Sequence, residues 1–221
     1  MMHIPTGFNP TIEIQKKMKE SYEIFESNAF EGFSLPKAYK LHEAMYNHKS
    51  CNTYCLGCAI SESILLISNY LKKYPFLNKI CIHTTEYLLI LNLLADRMET
   101  ILFMVNIDEE YRRKEFAVFQ ELKEWSYFLK PYTTCITPQK TCFVFENDIS
   151  KVNTTMFSYV LDKNFVKDYL TTKGKCGEWV KDQCVVLILP DICLLTRQIC
   201  EALDSFLALL LSESQYLEKV K

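Results

Sequence analysis

Apolar residues recur along this chain at intervals of three and four, the spacing that puts side chains on one face of an α-helix. Ile60, Ile64, Ile67 and Leu71 make one such stripe, and Ile192, Leu195, Ile199, Leu203, Phe206 and Leu210 make a longer one. Few turn-forming residues compete with this pattern, because 221 residues include only 5 Gly and 7 Pro. A many-turned all-β fold has little material here. The expectation is an all-α bundle of roughly six or seven helices, folded as a single domain over residues 1–221.

Helix starts and stops are legible in several places. Asn9-Pro10 reads as a cap followed by Pro at the first helical position, with Ile12, Met18, Tyr22 and Phe25 forming a face to about Ser27. Gly32 to Pro36 is a break, and a second helix is expected from Lys37 to about His48. Ser50 to Gly57 is rich in poor helix formers, and the next helix spans Ala59 to Tyr74, ended by Pro75. Thr84 or Thr85 can cap an apolar helix to about Val105. Asp108 then caps a helix to Leu129 that begins with Glu109 and Glu110 and stops at Lys130-Pro131. The helical pattern fails over 132–147, which leaves room for one short strand or an irregular insertion, with Cys142 to Phe145 as the strand. Val152 to Leu170 reads as helix, followed by a basic turn at Lys173–Gly177 and a last helix over Pro190 to Val220.

Composition excludes some functions. The net charge of -2 supplies no global field toward nucleic acid or an anionic membrane. The most apolar stretch, Tyr87 to Val105, is interrupted by Asp96, Arg97 and Glu99 and is read as a buried helix rather than a membrane span. Met1 to Pro10 lacks the layout of a signal peptide, and ten cysteines without an export signal are expected to be reduced thiols in the cytoplasm. No phosphate-binding glycine loop, nucleophile elbow or H-E-x-x-H motif is present.

The one local constellation with chemical content is His48-Lys-Ser-Cys51-Asn-Thr-Tyr-Cys55-Leu-Gly-Cys58. Its C-x3-C-x2-C spacing resembles the motif with which radical S-adenosylmethionine enzymes hold three corners of an iron–sulfur cluster. Gly57 stands where those motifs usually carry an aromatic residue, and the helical surroundings do not match their barrel. Zinc is the other metal reading, with His48, Cys51, Cys55 and Cys58 as ligands. On a continuous helix these four would share one face but spread over roughly 15 Å, too far for one tetrahedral site. Zinc therefore requires a break between Ser50 and Gly57, or a distant ligand such as Cys81 or Cys142. The adopted expectation is a helix–helix packing seam of small residues, extended by Leu41, Ala44 and Leu65, with no cofactor; zinc is the alternative.

Charged residues inside the apolar helix suggest a second constellation. Glu86 and Arg97 fall on nearly the same helical face, and buried charges are costly unless paired. A buried polar network of Glu86, Asp96, Arg97 and Glu99 is expected, structural rather than catalytic.

The stretch from Thr84 to Leu129 joins an apolar helix ending in Arg-Met-Glu (97–99), an acidic turn Asp-Glu-Glu-Tyr-Arg-Arg (108–113) and an aromatic helix. That succession resembles the HEPN-like helical proteins of prokaryotes. The resemblance implies a helical bundle, commonly a homodimer, in antiviral defence or regulatory systems where some members cleave RNA. HEPN ribonucleases carry Arg followed four to six residues later by His. Here His3, His42, His48 and His83 all precede Arg97, Arg112, Arg113 and Arg197, so the nuclease motif is absent. The functional expectation is a non-catalytic, intracellular interaction protein with a protein partner or a second copy of itself. Its alternatives are a zinc or iron–sulfur protein using Cys51, Cys55 and Cys58, and an RNA-binding or RNA-cleaving bundle.

Overall fold

The computed structural model describes residues 10–46, 55–73, 80–129, 143–146, 158–161, 184–188 and 190–212. The chain divides into two compact units, 14–126 together with 192–221, and 1–13 together with 127–191.

The larger unit is a helical bundle. Helix α1 (Pro10–Glu26) buries Met18, Ser21 and Phe25, one turn apart, and runs into a single π-helical turn at Ser27–Glu31. The Gly32 amide closes that turn on the Ser27 carbonyl at 2.7 Å. A side chain at Gly32 would meet the Asn28 carbonyl oxygen at 2.7 Å, so the turn requires glycine there. Phe33 follows in the left-handed region (φ 64°), and α2 (Ser34–Tyr46) begins at once, burying Leu35, Ala38, Leu41 and Met45. It starts three residues earlier than the sequence pattern indicates, and accommodates Pro36 in its first turn, where a missing N–H leaves no intrahelical bond unmade.

Helix α3 (Leu56–Lys73) presents the expected Ile60, Ile64, Ile67 and Leu71 to the interior. Helix α4 (Ile80–Met104) packs on α3 and starts before Thr84 and Thr85, which therefore lie inside it and do not cap it. Its C-terminus is a Schellman motif. Asn106 takes the left-handed conformation (φ 57°), its amide bonds the Phe103 carbonyl, and the Ile107 amide bonds the Leu102 carbonyl, each at 3.0 Å.

Asp108 caps the next helix as expected, its carboxylate accepting the Tyr111 amide at 2.9 Å. The helix expected to continue to Leu129 is broken at Phe116 into α5 (Glu109–Glu115) and α6 (Ala117–Leu129). Phe116 leaves helical geometry and is buried with its ring stacked on Phe119 at 5.1 Å. Burial of an aromatic side chain, about 1.5–3 kcal/mol, outweighs the interrupted helix.

The final helix, α7 (Ile192–Ser212), contacts both α2 and α4 and buries the whole predicted stripe from Ile192 to Leu210. Four polar contacts fix its register. The Tyr87 and Thr196 hydroxyls meet at 2.8 Å in the core. The Asp204 carboxylate accepts from Asn28 Nδ2 at 2.6 Å and from Ser34 Oγ at 2.7 Å, tying α7 to both ends of the π-turn region. Cys193 Sγ donates to the Lys17 carbonyl of α1 at 3.2 Å.

The smaller unit contains an antiparallel sheet of β1 (Phe143–Glu146), β2 (Ser158–Leu161) and β3 (Cys184–Ile188), with β3 in the middle. Phe145 and Leu161 both pair with Val185, one from each side. β1 falls in the 132–147 stretch where a strand had been allowed for. β2 corrects the helix expected over Val152 to Leu170. Ser-Tyr-Val-Leu is β-prone once the continuous apolar strand Cys-Val-Val-Leu-Ile lies beside it, and that partner is more than twenty residues away. The basic turn at Lys173–Gly177 lies outside the described residues.

Among the described residues, no helix is long and apolar enough to cross a membrane.

Candidate metal centre

Three potential ligands converge where α2 packs against the start of α3. Cys55 immediately precedes α3 and occupies its N-cap position; Cys58 lies three residues on, in the first turn; His42 comes from the last turns of α2. The approach of the two helices is close because Gly57 separates the cysteines. A Cβ at Gly57 would lie 2.9 Å from His42 Cα and 3.2 Å from His42 Cβ. Without a side chain there, the imidazole lies over the first turn of α3.

His42 Nδ1 is 3.1 Å from Cys55 Sγ and 3.4 Å from Cys58 Sγ, and the three ligand atoms all lie within 4.8 Å of one another. Zn–S bonds of about 2.3 Å and Zn–N bonds of about 2.0–2.1 Å, at tetrahedral angles, set N···S edges at about 3.6 Å. The two N···S spacings are close to that edge, and the sulfurs, within 4.8 Å of each other, need only close toward an S···S edge of about 3.8 Å to hold a metal ion. Cys55 Sγ also accepts the Cys58 backbone N–H at 3.2 Å, an outer contact that orients the sulfur toward the imidazole. Cys55 is buried, whereas His42 and Cys58 are half-buried.

The donor set selects among metals. Two thiolates and an imidazole are soft to borderline ligands, suited to Zn²⁺ and unsuited to Ca²⁺ or Mg²⁺. Two thiolates also neutralise a divalent ion, which removes the electrostatic objection to burying it. An iron–sulfur cluster of the ordinary kind needs more thiolates than the two that converge among the described residues.

The sequence-level candidates are thus redistributed. Cys55 and Cys58 come together as a pair of candidate ligands. Cys51 and His48 lie outside the described residues. The part of the expected helical seam at residues 48 and 51 lies outside the described residues; of the rest, Cys55 immediately precedes α3 and Cys58 lies in its first turn. His42 is the candidate ligand that sequence reasoning missed. Its signal was a histidine thirteen residues before a C-x2-C pair, visible only if the chain reverses between them so that two helices pack side by side.

Among the described residues, the polar side chains of α4 do not gather into one buried network. Glu86 and Asp96 are exposed, and Glu99 and Arg97 half-buried. Glu86 accepts from the Tyr70 hydroxyl at 3.0 Å, Asp96 accepts from Asn92 Nδ2 at 3.0 Å, and Glu99 pairs with Lys123 at 3.8 Å. The Arg97 guanidinium donates to the Ala59 carbonyl at 2.7 Å and to Ser63 Oγ, so among the described residues it joins α4 to the α3 backbone. Among the described residues these charges meet different neighbours rather than one another.

Comparison with protein-family models, with curated proteins and with solved structures gives no match for this chain.

Proposed function

We propose that this chain is a zinc-binding helical protein in which a structural Zn²⁺, held by His42 Nδ1, Cys55 Sγ and Cys58 Sγ, clasps α2 to α3. The convergence of the three donor atoms, at spacings close to tetrahedral edges, carries this reading. A metal here acts on stability rather than on a substrate. It binds a geometry that exists only when α2 and α3 are packed, so its binding free energy becomes folding free energy. The fourth coordination position goes to water or to a further side chain.

The test is metal analysis of protein purified without added metal, followed by thermal unfolding with and without a strong chelator. Near-stoichiometric zinc is expected, with a large fall in the unfolding midpoint on chelation. His42→Ala, Cys55→Ala and Cys58→Ala should each lose the ion, and their stability losses should be similar and far from additive. If the three side chains only pack together, each change should cost about 1 kcal/mol, the losses should add, and the chelator should do nothing. That result would refute the zinc reading.

A second reading, an interaction protein, draws on the junction of α4 and α5. Phe103 is 67% exposed, Met104 and Tyr111 are also exposed, and the Arg112 guanidinium lies 5.7 Å from the Phe103 ring centre. Sedimentation equilibrium separates a self-associating chain, weakened by Phe103→Lys, from a monomer.

A further inference from the structure

We propose that Cys55 and Cys58 are also a reversible modification site, oxidised to an intrachain disulfide by a low-molecular-weight disulfide such as glutathione disulfide. The proposal rests on the zinc reading only in one respect, that the oxidised pair can no longer hold the ion.

Geometry permits the bond. The two residues are separated by one turn at the start of α3, and residues three apart on a helix have Cα atoms about 5 Å apart, inside the range that disulfides span. Their sulfurs already lie within 4.8 Å of each other. Cys193 and Cys200 contrast with them. Seven residues apart on α7, they are separated by about 10 Å along the helix axis, beyond disulfide reach.

Burial sets the order of events. Cys58 is half-buried and Cys55 is 7% exposed, so Cys58 is the sulfur an outside disulfide reaches. The Cys58 thiolate attacks one sulfur of glutathione disulfide; a Cys58–glutathione bond forms, the S–S bond of the reagent breaks, and one glutathione thiolate leaves. The Cys55 thiolate then attacks the Cys58 sulfur, forming the Cys55–Cys58 bond and expelling the second glutathione thiolate. The protein dithiol loses two electrons and glutathione disulfide gains two. Zinc leaves with its charge unchanged, and the two glutathione thiolates take up protons from water.

The experiment incubates the full-length chain, as purified and after chelation, with glutathione disulfide in graded ratios to glutathione. Alkylation, chymotryptic digestion and mass spectrometry without reduction follow. Cleavage after Tyr54 separates Cys51 from the pair. The expected product is a fragment beginning at Cys55, lighter by two hydrogens and unalkylated at both cysteines. From the metal-loaded protein, one equivalent of zinc should reach a chromophoric indicator for each disulfide formed. Cys55→Ser should stop at a Cys58–glutathione adduct, whereas Cys58→Ser should leave Cys55 alkylatable. Should a variant fail to fold, the wild-type digest decides alone. Full alkylation of both cysteines, or a cross-link from Cys51, overturns the proposal whether or not zinc was bound. Protein that carries no zinc but forms the Cys55–Cys58 bond after either treatment overturns the zinc reading and leaves the dithiol standing.

Discussion

A thiol sealed in the core is a sensor of alkaline pH. Burial, with Asp204 and then Glu201 adding repulsion, pushes the Cys200 thiol up to about 12 from its ordinary 9. Below about pH 9 the folded and unfolded chains both keep this proton. Between that pH and 12 the unfolded chain releases it while the folded chain holds it, so the unfolded state binds fewer protons and stability falls as pH rises. The slope approaches about 1 kcal/mol per pH unit. Burial also drives the Tyr87 phenol above its usual range, with the same sign. Urea midpoints of wild type and Cys200→Ala, measured from about pH 8 to about pH 10.5, should converge as pH rises; parallel curves would contradict the assignment. Gly57 gives a second test at this scale. An Ala there gains up to about 1 kcal/mol of helix propensity but forces overpacking against His42 that typically costs 1–3 kcal/mol. Gly57→Ala is therefore expected to be destabilising and, on the zinc reading proposed above, to weaken metal retention in the same assay. Of the candidate site, the C-x2-C pair was legible because both ligands lie in one short segment. His42 was not, since its role depends on a close helix crossing at a glycine and not on any local spacing.

Elements divide into those decided locally and those decided by a distant partner. The capped start of α5, the stripe of α3 and the long face of α7 could be read from the chain, because cap chemistry and helical periodicity act within a few residues. The break at Phe116 could not, because it follows from what the ring packs on. Nor could β2, whose backbone finds its hydrogen bonds only on β3. Arg97 shows the same lesson in energy. It was visible as a charge needing compensation, but its compensation is the backbone of α3 rather than a carboxylate on its own helix. Replacing it with Met should cost about 2 kcal/mol, the range for hydrogen bonds to a charged group. The Lys123–Glu99 pair joins side chains that are 37% and 40% exposed, and Lys123→Ala should change stability by no more than about 0.5 kcal/mol. Chemical denaturation of the two variants side by side checks the contrast; equal losses would show that Arg97 is not holding α3 to α4.

At the scale of the whole molecule, the helical unit is interrupted in sequence. Helices α1 to α6 end at Leu129, and α7 begins only at Ile192, after the 65 residues from Tyr127 to Asp191 that belong to the other unit. Much of the core belongs to that late helix, including Ile199, Leu203, Phe206, Leu207 and Leu210, and so do the partners of Tyr87, Asn28 and Ser34. A ribosome therefore releases six helices before the seventh exists, and through that interval the faces of α2 and α4 that α7 covers are bare. A chain ended at Asp191 should lack a cooperative thermal transition and bind hydrophobic dyes, and a peptide of residues 192–212 supplied in trans should restore the transition. Cooperative unfolding of the truncated chain by itself would contradict this. The apolar faces that α7 covers thus stay uncovered by it for as long as the ribosome takes to travel from α6 to α7.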